Sequence, residues 1–264
     1  KFRLFALCFA MLLTVSSLPL FAEETVREEE PEIGSEYAVI FNADDHGEIL
    51  YGKNETEKIY CGFLPRVMTC LLIAESGRNP DETVTVTKEM LINTPQISTA
   101  QLKAGDEISW NDLITCIAVV NSQEAAVTAA MNLAGSLSAF VDRMNAKAKE
   151  LGATDTLFTN VTGHYVSNTK QISTLADCAK IISAALQYPQ IEEAAALRTA
   201  KITVNGKSRN LYTRNMLIET MNGSYNSAAK GLFIYSETGS NSSIATNLFF
   251  ISYKWNNRAG EEHC

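Results

Sequence analysis

The sequence predicts a domain that mixes buried helices with antiparallel hairpins, and three stretches carry that prediction. In Tyr60-Cys61-Gly62-Phe63-Leu64-Pro65-Arg66-Val67-Met68-Thr69 and Cys70 to Glu75, the apolar residues Phe63, Leu64, Val67, Met68, Leu71 and Leu72 fall on one broad helical face. Ser76-Gly77-Arg78-Asn79-Pro80 then stops the helix. The strand-like runs Glu36 to Phe41 and Gly47 to Tyr51 flank the turn-rich Asn42-Ala43-Asp44-Asp45-His46-Gly47, and Lys201 to Lys207 carries an Asn205-Gly206 hairpin turn. With 46% apolar residues in 264, the chain can bury a full core, as one domain or a domain with a fragment attached.

Lys1-Phe2-Arg3, the apolar run Leu4 to Val15, and Ser16, Ser17, Pro19 and Ala22 read as a signal peptide over residues 1–22, cleaved near Ala22. The alternative is an uncleaved anchor, because Leu20 is a poor residue two before the cut. Residues 23–35 form an acidic linker, in which Glu23, Glu24, Glu28, Glu29, Glu30 and Glu32 are opposed only by Arg27. Loss of the leader removes Lys1 and Arg3 and no acid, leaving the chain more acidic than its formal −8. Nucleic acid and anionic lipid surfaces are therefore poor partners for the acidic mature chain.

Thr83 to Thr87 reads as the next strand, and Asn111 or Asp112 can cap a helix through Leu113, Ile114, Ile117, Ala118 and Val119. Cys61, Cys70, Cys116, Cys178 and Cys264 are odd in number, lack a Cys-x-x-Cys pair and have no histidine at ligand spacing. Inert buried thiols are expected, with no metal and no cofactor. His46, His164 and His263 are scattered and read as turn or surface residues, and Trp110 and Trp255 as packing.

The stretch around Phe63 resembles the start of the nucleophile helix in the serine-type D-alanyl-D-alanine carboxypeptidases (peptidase S11, low-molecular-weight penicillin-binding proteins). There a Pro-Ala-Ser-x-x-Lys-x-Met-Thr run carries the catalytic Ser and Lys. Alignment on Val67-Met68-Thr69 puts Phe63 at the Ser and Arg66 at the Lys. Asn121-Ser122-Gln123-Glu124-Ala125-Ala126 stands where the family has Ser-Gly-Asn-Asp-Ala-Ala, so Asn121 replaces the Ser and Gln123 the Asn. For the third motif, Lys-Thr-Gly, two registers stay open: Phe233 in Gly231-Leu232-Phe233, or Glu237 in Glu237-Thr238-Gly239. Both lose the lysine.

Kinship rests on residues that carry no chemistry. Phe140-Val141-Asp142-Arg143-Met144-Asn145, Ala148, Leu151-Gly152, Thr156 and Phe158, then Asn160, Gly163, Ser173-Thr174 and Asp177, and finally Thr213-Arg214-Asn215-Met216-Leu217, follow the family's order. The resemblance implies an α+β fold, a β-lactamase and transpeptidase-like (DD-peptidase) sandwich with a mainly antiparallel sheet and helices on both faces. The domain is expected over residues 36–264, truncated at its C-terminus.

Phe63 has no nucleophilic atom and Arg66 cannot act as a base. The family's third-motif lysine helps hold the substrate carboxylate, a role that Phe233 or Glu237 cannot take. The expectation is an exported, catalytically inactive homologue with a binding or scaffolding role in bacterial peptidoglycan metabolism. Its partners would be the stem peptide or a cell-wall protein, with membrane contact only through the signal segment or a missing C-terminus. The alternative is an active D-Ala-D-Ala carboxypeptidase using a relocated nucleophile. Ser167-Asn168-Thr169-Lys170 and Ser227-Ala228-Ala229-Lys230 match Ser-x-x-Lys literally, and Ser208-Arg209-Asn210 and Ser224-Tyr225-Asn226 match Ser-x-Asn. All four sit in loop-like stretches and read as chance matches. Arg66 is expected to pair with an acidic neighbour such as Glu124 or to bind a carboxylate.

Overall fold

A computed structural model describes residues 35–60, 62–92, 94, 100–164 and 171–213. The expected leader, most of the linker, Cys61, Phe233, Glu237, Trp255, His263, Cys264 and the serine motifs at Ser167, Ser224 and Ser227 lie outside them.

The first hairpin pairs β1 (Ala38–Asn42) with β2 (Glu48–Lys53) antiparallel, with an irregularity between Ile40 and Phe41. Its turn ends at Gly47, whose φ of +80° and position suit only glycine: a Cβ there would lie 2.7 Å from the Ala179 carbonyl carbon. That close approach seats the turn on α6 (Leu175–Leu186), where Ser183 Oγ donates to the Ala43 carbonyl at 2.6 Å.

The expected buried helix is α1 (Leu64–Glu75), with Pro65 in its first turn, where a missing N–H costs nothing. Leu64, Val67, Met68 and Leu71 are buried, as the spacing requires. A second sheet has the order β3-β4-β5-β6, formed by β3 (Thr83–Thr85), β4 (Glu107–Ser109), β5 (Thr199–Val204) and β6 (Lys207–Tyr212). Every pairing in it is antiparallel. The β5–β6 turn is Asn205-Gly206, with φ of +52° and +71°, the mirror-image turn that matches strand twist.

The remaining helices are α2 (Lys88–Ile92), α3 (Trp110–Val120), α4 (Gln123–Ala134), α5 (Leu137–Glu150) and α7 (Pro189–Ala195). Helix α3 lies against the β4, β5 and β6 strands and against α1, α4 and α7, so it joins the sheet to the helical layer. Together these elements are the expected α+β fold.

Two expectations are corrected. The cap of α3 is Ser109, not Asn111 or Asp112: Ser109 ends β4 with extended backbone, so its Oγ reaches forward to accept the Asp112 N–H at 3.0 Å. Asp112 turns its carboxylate to the sheet instead and accepts the Thr203 N–H at 3.0 Å. Ser208-Arg209-Asn210 is not loop-like, because it lies within β6, paired with Thr203, Ile202 and Lys201. Ladder pairing rather than a helix presents it.

The residues that carry no chemistry turn out to be structural joints. Asn145 on α5 donates from Nδ2 to the Phe158 carbonyl at 3.0 Å and accepts the Phe158 N–H at 2.8 Å, which fastens the following loop to the helix. Thr174 caps α6 by accepting the Asp177 N–H, while Asp177 accepts from the Asp155 N–H and the Thr156 hydroxyl. Trp110 is buried packing, as expected, with the Arg78 guanidinium 5.6 Å from its ring centroid. Cys70, Cys116 and Cys178 are buried free thiols.

Candidate functional site

The candidate site forms where α1 begins. Phe63 is its N-cap residue and makes no side-chain cap bond; its ring is fully buried. A nucleophile at this place would have to meet solvent and substrate, and the side chain present is part of the core instead. Its backbone carbonyl accepts the N–H groups of Arg66 and Val67, the ordinary start of a helix.

One turn on, Arg66 is 6% exposed, and Nη1 of its guanidinium donates to the Thr162 carbonyl. Thr162 belongs to a tight loop over residues 160–164, built by Asn160, whose Oδ1 accepts the N–H groups of Thr162 at 3.1 Å and Gly163 at 2.7 Å. Asn160 Nδ2 closes the far side by donating to the His164 carbonyl at 3.2 Å. The loop presses on α1 so closely that a Cβ on Gly163, at φ +70°, would fall 1.4 Å from the Gly62 carbonyl oxygen. Tyr60 completes the contact, donating its hydroxyl to the Gly163 carbonyl at 2.6 Å.

Asn121 and Gln123 stand at the junction of α3 and α4. Asn121 ends α3 in the left-handed region, φ +56°, with its N–H bonded to the Ile117 carbonyl at 3.0 Å. Asparagine tolerates that conformation far better than most residues, a local reason for Asn where the family pattern has Ser. Ser122, the serine nearest to that place, is fully buried and caps α4, its Oγ accepting the Ala125 N–H at 3.1 Å. Gln123 is half-buried, and among the described residues its Oε1 meets no donor.

The structure directs Glu124 toward the chain before β4. Its buried carboxylate accepts the Ala100 N–H at 3.0 Å, while the Ala100 carbonyl accepts from Arg209 on β6 at 2.6 Å. The guanidinium of Arg66 is thus engaged by a backbone carbonyl and the carboxylate of Glu124 by a backbone amide.

Arg66 and Asn121 meet in a shallow recess shared with Val67, Cys70, Ile117, Ala118 and Ile191. It encloses about 290 Å³ including its open mouth, at the lower limit of ligand pockets. Burial pushes the Cys70 thiol up to about 12, against the pull of the Arg66 guanidinium, so it is not a thiolate nucleophile at neutral pH. The Cys116 thiol is likewise raised well above its ordinary value, by burial first and then by the Glu124 and Asp112 carboxylates. No group of three or more metal-ligating side chains occurs among the described residues.

Phe63, Arg66, Asn121 and Gln123 therefore cluster around the α1 start and the α3–α4 junction. The sequence did not single out Tyr60 and Thr162 as part of this site, and it used Asn160 and Gly163 only as marks of kinship. A glycine three residues after a turn-forming Asn was the available signal.

Antiparallel strands joined to a buried helical layer make an α+β fold of the DD-peptidase type. The D-alanyl-D-alanine carboxypeptidase family model, Peptidase_S11, matches residues 24–246, and the chain belongs to that family. It is 27% identical over 220 residues to the D-alanyl-D-alanine endopeptidase of Escherichia coli, covering 81% of this chain and 69% of the relative. It is 30% identical to the Bacillus subtilis carboxypeptidase DacF, where the match covers 69% of this chain but 46% of that protein. Among solved structures, the R248L mutant of Streptomyces K15 DD-transpeptidase superposes with a TM-score of 0.71 at 21% identity, covering 86% of this chain and 88% of the other. Penicillin-binding protein 6B of Escherichia coli superposes at 0.66 with 28% identity, covering 83% and 67%.

Proposed function

We propose that this chain is an exported, non-catalytic member of the family that acts by binding in cell-wall peptidoglycan metabolism. The observation that carries the reading is Phe63: a fully buried aromatic ring at the place of the nucleophile, with a guanidinium at the place of the base. Serine acyl transfer needs a hydroxyl and a partner able to remove its proton. Arg66 stays charged at any physiological pH and is committed to the Thr162 carbonyl. Ser122 supports the same reading, since a buried helix cap is a poor substitute nucleophile. Loss of the nucleophile in a comparable serine hydrolase lowers turnover by about a million-fold.

The binding partner in this reading is the peptidoglycan stem peptide or a cell-wall protein. The test uses the chain without its first 22 residues. A stem pentapeptide ending in D-Ala-D-Ala is expected to release no D-alanine, while purified peptidoglycan retains the protein in sedimentation. Release of D-alanine above the no-protein control would overturn the inactive reading, and a protein left wholly in the supernatant would overturn the binding role.

A further inference from the structure

We propose that the outward face of the β5–β6 hairpin is a docking strip for an extended, carboxylate-bearing peptide, the stem peptide of peptidoglycan. This rests on the binding role proposed above and locates it away from the core-filled start of α1. Direct cross-strand pairs set Thr199 beside Tyr212, Lys201 beside Asn210 and Thr203 beside Ser208. All six are exposed, whereas the alternate residues Ala200, Ile202, Val204 and Leu211 are buried. The inner face thus fixes the hairpin to the core. The outer face is a strip about 13 Å long, enough for about four residues of extended chain.

Charge selects the partner. The chain carries a formal −8, yet residues 198–213 hold Arg198, Lys201, Lys207 and Arg209 and no acid. Arg209 is committed inward, where it donates to the Ala100 and Gln101 carbonyls. Asp106 and Asp112 meet the hairpin at Asn205 and Thr203, toward its turn. Lys201 therefore stands as an outward cation midway along the strip, and screening at physiological salt confines its field to about 8 Å. Among the described residues Tyr212, 67% exposed, is the only exposed aromatic side chain. Such a ring gives large contact area at little entropy cost, which is why tyrosine dominates binding hot spots. Asn210 and the threonines supply donors and acceptors for a peptide backbone between the cation and the ring. A carboxylate at Lys201 and an apolar side chain against Tyr212 match both ends, whereas a neutral sugar ring has nothing for the cation.

Sedimentation of the leaderless chain with purified peptidoglycan tests the strip, using Tyr212→Ala, Lys201→Gln and a control at an exposed lysine of α5, Lys149→Gln. All three positions are exposed, so each variant is expected to melt with the parent. Tyr212→Ala is expected to weaken retention about tenfold and Lys201→Gln about threefold, with Lys149→Gln unchanged. A synthetic stem pentapeptide with free carboxylates should displace the parent, and N-acetylglucosamine oligomers should not. If the parent is retained and Tyr212→Ala and Lys201→Gln are held as firmly, the strip is overturned while the binding role stands. A parent left in the supernatant would overturn both. An equal loss in Lys149→Gln would mean general charge attraction, and displacement by the sugar oligomers instead of the pentapeptide would mean a glycan site; either result overturns the assignment.

Discussion

Asn145 touches no reacting group in any reading of the site, yet it bonds both backbone groups of Phe158. Replacing it by alanine leaves a buried N–H and carbonyl to find new partners, a loss of about 2 kcal/mol by the usual cost of such groups. Urea unfolding of Asn145→Ala measures it, as a lower midpoint at unchanged slope. Asp112 makes the opposite kind of prediction. Burial raises its carboxyl above the ordinary aspartate value, outweighing the bonds from the Thr203 N–H and Ser109 that favour the charged form; Asp81 adds to the rise. A raised folded value means the folded state binds the proton more tightly than the unfolded chain. Its stabilising contribution is therefore present at acid pH and lost as pH rises through that value. Asp112→Asn keeps an acceptor for Thr203 without the charge. Its melting temperature is expected to equal or exceed the parent's at neutral pH, and the gap should narrow as pH falls toward about 4. A gap that widens on acidification would contradict the assignment.

At the scale of elements, the helices owe their limits to caps that the sequence advertises with uneven clarity. Thr174 was legible because a β-branched hydroxyl stood three residues before an acid, and it caps α6 by accepting the Asp177 N–H at 3.0 Å. Ser109 was not, because it lies inside a strand signal, and nothing local says that one residue can end β4 and begin α3 at once. Thr174→Ala is expected to cost about 1 kcal/mol, read as a lower thermal midpoint. Helix α1 makes the larger prediction. Phe63 fills the core at the cap, so Phe63→Ser restores the family's residue type and opens a cavity, destabilising by about 3–5 kcal/mol as for other buried aromatic truncations. Equilibrium unfolding decides this, and a neutral effect would show that the ring is not part of the core.

Over the whole molecule, sequence reading reached the fold more easily than the site, for physical reasons. Helix faces, turns and joints are local: the Phe63–Leu72 periodicity, the Asn205-Gly206 turn and the Met144-Asn145 pair each fix structure within a few residues, and each appears where it was expected. The site is non-local. Tyr60 and Arg66 reach residues about a hundred positions further on, and no spacing in the chain announces that Asn160 to His164 folds back over Gly62. Glu124 shows the same limit, because its bond to the Ala100 amide, 24 residues away, has no signature in the local sequence. The altered motif residues were visible at once, whereas the cover over them was not. The central claim, a family member without its nucleophile, meets its most direct test in intact-protein mass after incubation of the leaderless chain with a β-lactam. The account predicts an unchanged mass on a sample shown to be folded. A gain of one drug molecule would contradict it, and digestion would then name the serine that took the place of Phe63.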